Sequence, residues 1–373
     1  MFLWLLVFNQ WKRLRPLYLP SGALLFLAIA APWHGLAARA NETWVHRYFV
    51  YEHFERFLTA AASRPGPWHY FVWIVIGGLI PWTGFLWPAV RDAVRGGPFD
   101  GLRAGIARRE EHRVGWFLVT WVAFVFFFFS ISKSKLPPYI LPVFPALAVL
   151  IGAWLAKMAA APDGAARVRT GFRVYSFING LLAVALLAVV LKPGLIIGDP
   201  VQALALRWPA FAMAAVLLAG GIFAPWLART RGVRAGLAGV VATMAAFLLA
   251  LQFAAPDINK PGTKALAGYV QAHAQPGDRV VHYHEFFHDF PFYAERVVDV
   301  VAFKGELELE EDAAARASGR FIAEPAFRAL WSQPGRVFAV ARKQDVKELF
   351  ADAAFRYHLL GETEDHTLFS NQP

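Results

Sequence analysis

Three short segments of this 373-residue chain carry side chains whose types and spacing suit chemistry at a phosphate or a metal ion. The first is Trp44–Phe57, WVHRYFVYEHFERF, which interleaves aromatics with His46, Arg47, Glu52, His53, Glu55 and Arg56. Wound as an α-helix, it sets Glu52 and Arg56 at i, i+4 with His53 on the same flank. Arg56 then suits a bidentate grip on an anionic headgroup phosphate. Glu52 and His53 suit ligation of a divalent metal ion or movement of a proton. An amphipathic helix lying in the membrane interface accounts for the same pattern without chemistry. The second segment is Ser132–Pro142, SKSKLPPYILP. Pro137 and Pro138 stiffen its turn, Tyr139 starts the next helix, and a lipid phosphate would balance the charge of Lys133 and Lys135. Lysines that snorkel where a helix ends are the alternative. The third segment, HYHEFFHDF, gathers His282, His284, Glu285, His288 and Asp289. His284 and His288 stand at a spacing that zinc uses. Yet 282 and 284 alternate along a strand and 288 belongs to the next element, which reads as a polar strand end.

The elements that must hold these residues are mostly apolar. Hydrophobic residues make up 57% of the chain and charged residues only 17%; the mean hydropathy is +0.41. A soluble chain needs more charge than that to cover its surface. The apolar residues also fall into runs of roughly 18 to 25, the length a helix needs to cross about 30 Å of hydrocarbon. Seven full spans are expected, near 17–38, 68–90, 114–131, 139–157, 172–194, 208–228 and 233–254. Trp33, Trp68, Trp73, Trp82, Trp87, Trp116, Trp121 and Trp208 lie in or at the ends of these spans, as interfacial anchors and packing residues do. Pro32, Pro81 and Pro142 fall inside or near spans, where proline is tolerated more than in soluble helices. With no cysteine in the chain, disulfides and thiolate metal sites are excluded.

Charge orients the spans. Residues 1–259 hold 24 Lys+Arg against 10 Asp+Glu, a net of +14, whereas 260–373 hold 13 against 17, a net of −4. The overall +10 would suit nucleic-acid binding, but the basic residues flank apolar spans, so topology explains them better. Lys12–Arg15, Arg91–Arg113, Lys157–Arg173 and Arg229–Arg234 form four basic segments on alternate sides of successive spans. By the positive-inside rule these are cytoplasmic, and seven crossings then place residue 260 onward outside. Met1–Phe8 is apolar but too short to span, and its charges follow it, so it is no signal peptide. It reads as the end of a helix that begins earlier.

From Lys260 the pattern changes. Strands are expected at Arg279–Tyr283, Val297–Val301, Arg336–Ala341, Tyr357–Leu360 and His366–Phe369. Helices are expected at 262–274, Phe321–Trp331 and Gln344–Phe350. That alternation predicts a small α/β layer domain, without fixing its strand order. The fold class is therefore a polytopic α-helical membrane protein with a C-terminal extracytoplasmic α/β domain, divided as 1–259 and 260–373.

Longer stretches carry a resemblance. FFFFSISKSKLPPYILPVFPALAVLIG at 126–152 resembles the SxxKxKLPxYxLPxxPxLA signature of bacterial lipid-linked sugar transferases. These include the aminoarabinose transferases that modify lipid A and their protein O-mannosyltransferase-like relatives. YFVYEHFERF at 48–57 and PWHYFVWIVIGGLIPW at 67–82 resemble the preceding block of that family, and 277–301 resembles its C-terminal periplasmic domain. The resemblance implies a GT-C glycosyltransferase of the bacterial inner membrane. Such an enzyme takes a sugar from undecaprenyl phosphate at the outer membrane face and passes it to lipid A or a protein. By the same resemblance Arg56 contacts the lipid phosphate, with Lys133, Lys135 and Tyr139 in the adjoining loop and Glu52 and His53 in the outer active-site segment. A divalent metal ion is compatible with that pair.

One expected residue is missing. The family's catalytic aspartate lies in its first periplasmic loop, several spans before the EHxxRF-like block, yet no Asp occurs in residues 1–91. The resemblance thus implies an N-terminally truncated chain, or one half of a split protein with a companion, inactive in transfer by itself. Chemically, cations would stabilise the departing polyprenyl phosphate while a carboxylate handles the acceptor hydroxyl. A non-enzymatic scaffold whose outer domain binds a partner is the competing class. A transporter is disfavoured, because no internal repeat and no midspan ionisable residue is visible.

Overall fold

Six of the seven expected spans are continuous helices, and the second is broken. The computed structural model describes residues 4–5, 11–40, 43–59, 66–94, 106–192, 200–258, 262–302 and 317–373, with backbone alone at 13, 56, 106–112, 189, 200–203 and 256–258. The reading of Met1–Phe8 lies almost wholly outside these residues. Contacts divide the chain into Met1–Ala254 and Ala255–Pro373.

In the first unit, a 3₁₀ turn Trp11–Leu17 leads into α1, Leu19–Ala40. Its 22 residues rise about 33 Å, and none of its side chains is buried in the protein. Leu24 and Phe26, 71% and 67% exposed, make such a helix stable in hydrocarbon rather than in water. The continuous spans that follow are α4 (Ile106–Ile131), α5 (Val143–Ala160), α6 (Arg169–Leu191), α7 (Pro200–Thr230) and α8 (Val233–Ile258).

Between α1 and α4 lie α2 (Tyr70–Gly78) and α3 (Thr83–Val94), bent by 103° across Leu79–Trp82. Gly77, Gly78 and Pro81 explain the break: glycine weakens the helix and proline removes a donor and crowds the preceding turn. Pro81 thus falls within the expected second span, at its bend. The pair nevertheless makes a single crossing. The Lys135 ammonium lies 5.6 Å from the Phe71 ring centre, before the start of α5. Gly78 lies against Phe144, Phe85 is 6.4 Å from Trp154, and Asp92 binds Lys157 at 3.0 Å. Contacts thus climb α5 from end to end as the chain runs from 71 to 92. A re-entrant loop would return to its starting level, and this segment does not.

The second unit begins with α9 (Lys264–His273) and builds one six-stranded sheet. The strands are β1 (Arg279–Tyr283), β2 (Asp299–Val301), β3 (Phe321–Ile322), β4 (Val337–Arg342), β5 (His358–Glu362) and β6 (His366–Ser370). Their order is β3-β2-β1-β4-β6-β5, parallel through the first four and antiparallel for the last two. Alternation along β4 shows how the faces divide. Val337, Ala339 and Ala341 join Phe327 and Trp331 of α11 (Glu324–Trp331). Phe338 and Val340 join Leu266 of α9 and Phe290 of α10 (Phe290–Ala294). Burial on both faces explains why β1 and β4 are nearly continuous apolar runs. A last short helix, α12 (Lys347–Ala351), follows β4. The predicted strands and helices are found with small boundary shifts; β3 and α10, each short, were not expected.

Candidate functional site

The first two chemical segments meet. Backbone N–H of Lys133 donates to the carbonyl of Phe57 at 3.1 Å, and the Ser132 hydroxyl reaches the same oxygen at 3.4 Å. The Phe57 and Phe128 rings pack 4.6 Å apart beside this junction. Arg56 and Phe57 open the short helix Arg56–Leu58, so the backbone of Arg56 adjoins the lysine loop. The Arg56 side chain lies outside the described residues.

Within the loop the two lysines differ. Lys133 is exposed, and its ammonium has no partner among the described residues. Lys135 is only 5% exposed and donates to the carbonyls of Phe129, Ser130 and Ser132 at 3.3, 2.8 and 2.7 Å. These oxygens belong to the end of α4 and the residue just beyond it, which the helix leaves unbonded. An ammonium has three hydrogens, and all three are placed. Burial also lowers the pKa of this amine. The expectation that Lys135 reaches out to a lipid phosphate is therefore revised: its charge closes α4. Its stem runs over Gly66, where a Cβ would stand 2.9 Å from Lys135 Cδ. That contact gives Gly66 a reason that its sequence context does not show.

Tyr139 is half-buried on the 3₁₀ turn Pro137–Ile140, its ring 5.4 Å from Phe129. Ser132 and Ser134 are buried in the same loop. Ser132 ties it down through Ser134's carbonyl at 3.0 Å, while Ser134's hydroxyl has no partner among the described residues. Neither serine stands out in the sequence, because a hydroxyl's use depends on which carbonyl the fold brings near.

His46–Glu55 is helical but π-wound. Within His46–Glu55 that winding stacks residues five apart rather than four, and Arg56 begins an α-helical turn. His53 Nδ1 lies 2.8 Å from the carbonyl of Tyr48, five residues back, and His46 meets Glu55 at 3.5 Å two turns on. Trp44 stacks on Tyr48 at 4.8 Å, and His34 of α1 packs against both. Glu52 is half-buried and His53 exposed. As adjacent residues they offer a metal two donors, and among the described residues no three His, Asp or Glu groups converge on one point. The pair does not by itself fit a metal site.

In the third segment the side chains take separate partners, in keeping with a polar strand end, and among the described residues no three of them converge on a metal position. His282 is fully buried, its Nδ1 accepts from the Phe287 N–H at 3.1 Å, and burial lowers its pKa to about 3, so it is neutral. His284 faces Glu324 at 3.4 Å, and Glu285 pairs with Arg342. Asp289 accepts from the backbone N–H of Thr263 at 2.8 Å, and His288 is exposed. These side chains finish turns rather than share a ligand.

No family model matches the chain. Over 198 residues it is 32% identical to an undecaprenyl phosphate-alpha-4-amino-4-deoxy-L-arabinose arabinosyl transferase of Edwardsiella ictaluri, covering 53% of this chain and 33% of that protein. Over 193 residues it is 34% identical to transferase 1 of the same description from Pseudomonas fluorescens, covering 51% and 32%. Over about half of its length the chain is similar to these aminoarabinose transferases. It spans about a third of the length of the curated relatives it matches. The crystal structure of ArnT from Cupriavidus metallidurans bound to undecaprenyl phosphate aligns with 99% of this chain and 63% of that one, with a TM-score of 0.78 at 23% identity. The apo state of that ArnT gives 0.75 at 24%. The likeness establishes the fold, a polytopic helical unit followed by a sheet domain, as the resemblance implied.

Proposed function

We propose that this chain forms the lipid-phosphate-holding part of an inverting glycosyltransferase. Its donor is a sugar on undecaprenyl phosphate and its acceptor a lipid such as lipid A or a protein. The supporting observation is the junction at Phe57, where two segments otherwise 75 residues apart share one carbonyl. It brings the backbone of Lys133, whose side chain is exposed, against the backbone of Phe57, the residue after Arg56. Two cations on a rigid junction lower the cost of separating a phosphate from the sugar, because the leaving oxygen's charge is met as it develops. Arg56 and Lys133 hold the phosphate, Lys135 positions the loop by closing α4, and Tyr139 borders the same rim. Glu52 and His53 are the groups nearby able to move a proton. Residues 260–373 form an extracytoplasmic, periplasmic domain of a protein held in the bacterial inner membrane by its first 259 residues.

Binding of undecaprenyl phosphate to the purified full chain tests this reading directly. Arg56→Ala should weaken it by about 2–5 kcal/mol, the effect of removing one partner from a desolvated charge pair. Lys133→Ala should weaken it less, since that ammonium is solvated. Unchanged binding in both variants would leave the scaffold class as the better account.

A further inference from the structure

The basic residues around α6 and α7 are numerous enough to orient the spans, but three of them also converge. Arg169 and Arg173, in the first turns of α6, and Arg229, in the last turn of α7, line one cavity with Phe172, Ser176 and Pro225. Its volume is about 40 Å³. At roughly 10–15 Å³ per water that is room for about three waters, and so for the oxygens of one phosphate group. Among the described residues, two acids of adjoining segments are already engaged: Asp163 with Arg167 at 2.8 Å and Asp92 with Lys157 at 3.0 Å. Among the described residues none of the three cavity arginines has an ion-pair or hydrogen-bond partner.

Arg169, Arg173 and Arg229 are exposed and share the lining of this one small space, which orienting the spans does not require. An anion there takes charge-assisted hydrogen bonds from guanidinium groups within its reach. The walls are rigid: the Ser176 hydroxyl donates to the carbonyl of Gly221 at 2.7 Å, joining α6 to α7. No side chain caps the start of α6, so its N-terminal dipole adds to the positive field. Both helix ends lie at the headgroup level, because each helix spans the membrane from this point. Phe172 and Pro225 give the cavity an apolar side, which suits an acyl-linked phosphate better than a free ion. Basic pockets between spanning helices are where anionic lipid headgroups are held.

We infer that this cavity binds the phosphate of an anionic phospholipid, at the end of the helical unit opposite the Lys133–Tyr139 loop. By the charge pattern that end is the cytoplasmic one. The site is separate from the proposed donor site and does not depend on it.

The test is thermal unfolding of the full chain in neutral detergent with added phosphatidylglycerol, cardiolipin, phosphatidylcholine or inorganic phosphate. The two anionic lipids should raise the midpoint, while phosphatidylcholine and inorganic phosphate should not. The triple variant Arg169→Gln, Arg173→Gln, Arg229→Gln should lose the shift. The double variant Arg231→Gln, Arg234→Gln, which leaves the cavity lining intact, should keep it. Each single cavity variant should bind the lipid about fivefold more weakly, the value of one basic residue at an anionic surface. Native mass spectrometry of the single variants reads the same loss as reduced lipid retention if the triple variant does not fold. An equal shift with phosphatidylcholine, a shift with inorganic phosphate alone, or retention unchanged in the single variants overturns the proposal.

Discussion

A buried ammonium with three carbonyl partners holds a helix end far more firmly than a surface lysine does. Lys135→Met keeps most of the stem that packs on Gly66 but leaves the carbonyls of Phe129, Ser130 and Ser132 without their donor. Stranding buried acceptors costs about 1–3 kcal/mol. The variant should therefore unfold at a lower temperature in detergent, with donor binding weakened only as the loop loosens. A residue that instead gripped the phosphate directly would lose binding at an unchanged melting temperature, so the two readouts separate the roles. At this scale the sequence shows residue types but not directions. Lys133 and Lys135 are indistinguishable in SKSKLPPYILP. One proves solvated and the other buried because the last carbonyls of α4 point at only one of them. His282 carries the same lesson. Its type is compatible with a ligand or with a polar strand end, and it is neutral because the sheet buries it among Phe286, Phe287 and Phe290.

Among elements, the broken span is positioned by close approach of backbone. Gly84 at the start of α3 lies against Gly171 of α6, where a Cβ on Gly84 would stand 2.5 Å from the Gly171 carbonyl oxygen and 2.8 Å from Val174 Cβ. The obstructing oxygen is backbone and cannot turn aside. Helices in a bilayer gain little from apolar attraction to one another, so small residues that allow tight packing matter more than in water. Gly84→Val should therefore destabilise the helical unit by about 1–3 kcal/mol, the range for overpacking. Gly152→Ala is the control: nothing lies within 4 Å of its built Cβ, so alanine should be neutral or slightly stabilising. Midpoints of thermal unfolding for the two variants check both. Continuous spans were legible because apolar length alone dictates them. The 103° bend was not, since proline is tolerated in many spans and only the contacts along α5 show what this one does. The π-winding of His46–Glu55 was hidden for a related reason: α and π helices differ by one residue per hydrogen bond, and aromatic packing on α1 accompanies the wider form.

At the scale of the whole molecule, the net of +14 before residue 260 and −4 after it follows the division between apolar spans with basic flanks and a polar sheet domain. The broken pair decides the parity. Had α2 and α3 doubled back, Arg91–Arg113 would lie on the same face as Trp44–Phe57, and the four basic segments would no longer share a side. Because the pair crosses, seven crossings separate Lys12 from residue 260, and the positive-inside rule predicts an outer position for the residues beyond it. A chain without cysteine makes this simple to test. Gln333→Cys, exposed in the sheet domain, should react with a membrane-impermeant maleimide in intact spheroplasts. Ala166→Cys, exposed between α5 and α6, should react only after the membrane is opened. The reverse pattern would put Arg56 and Lys133 in the cytosol and Arg169, Arg173 and Arg229 outside. A donor presented at the outer face would then meet the wrong set of cations, and the assignment of the lysine loop to the donor phosphate would fail with it.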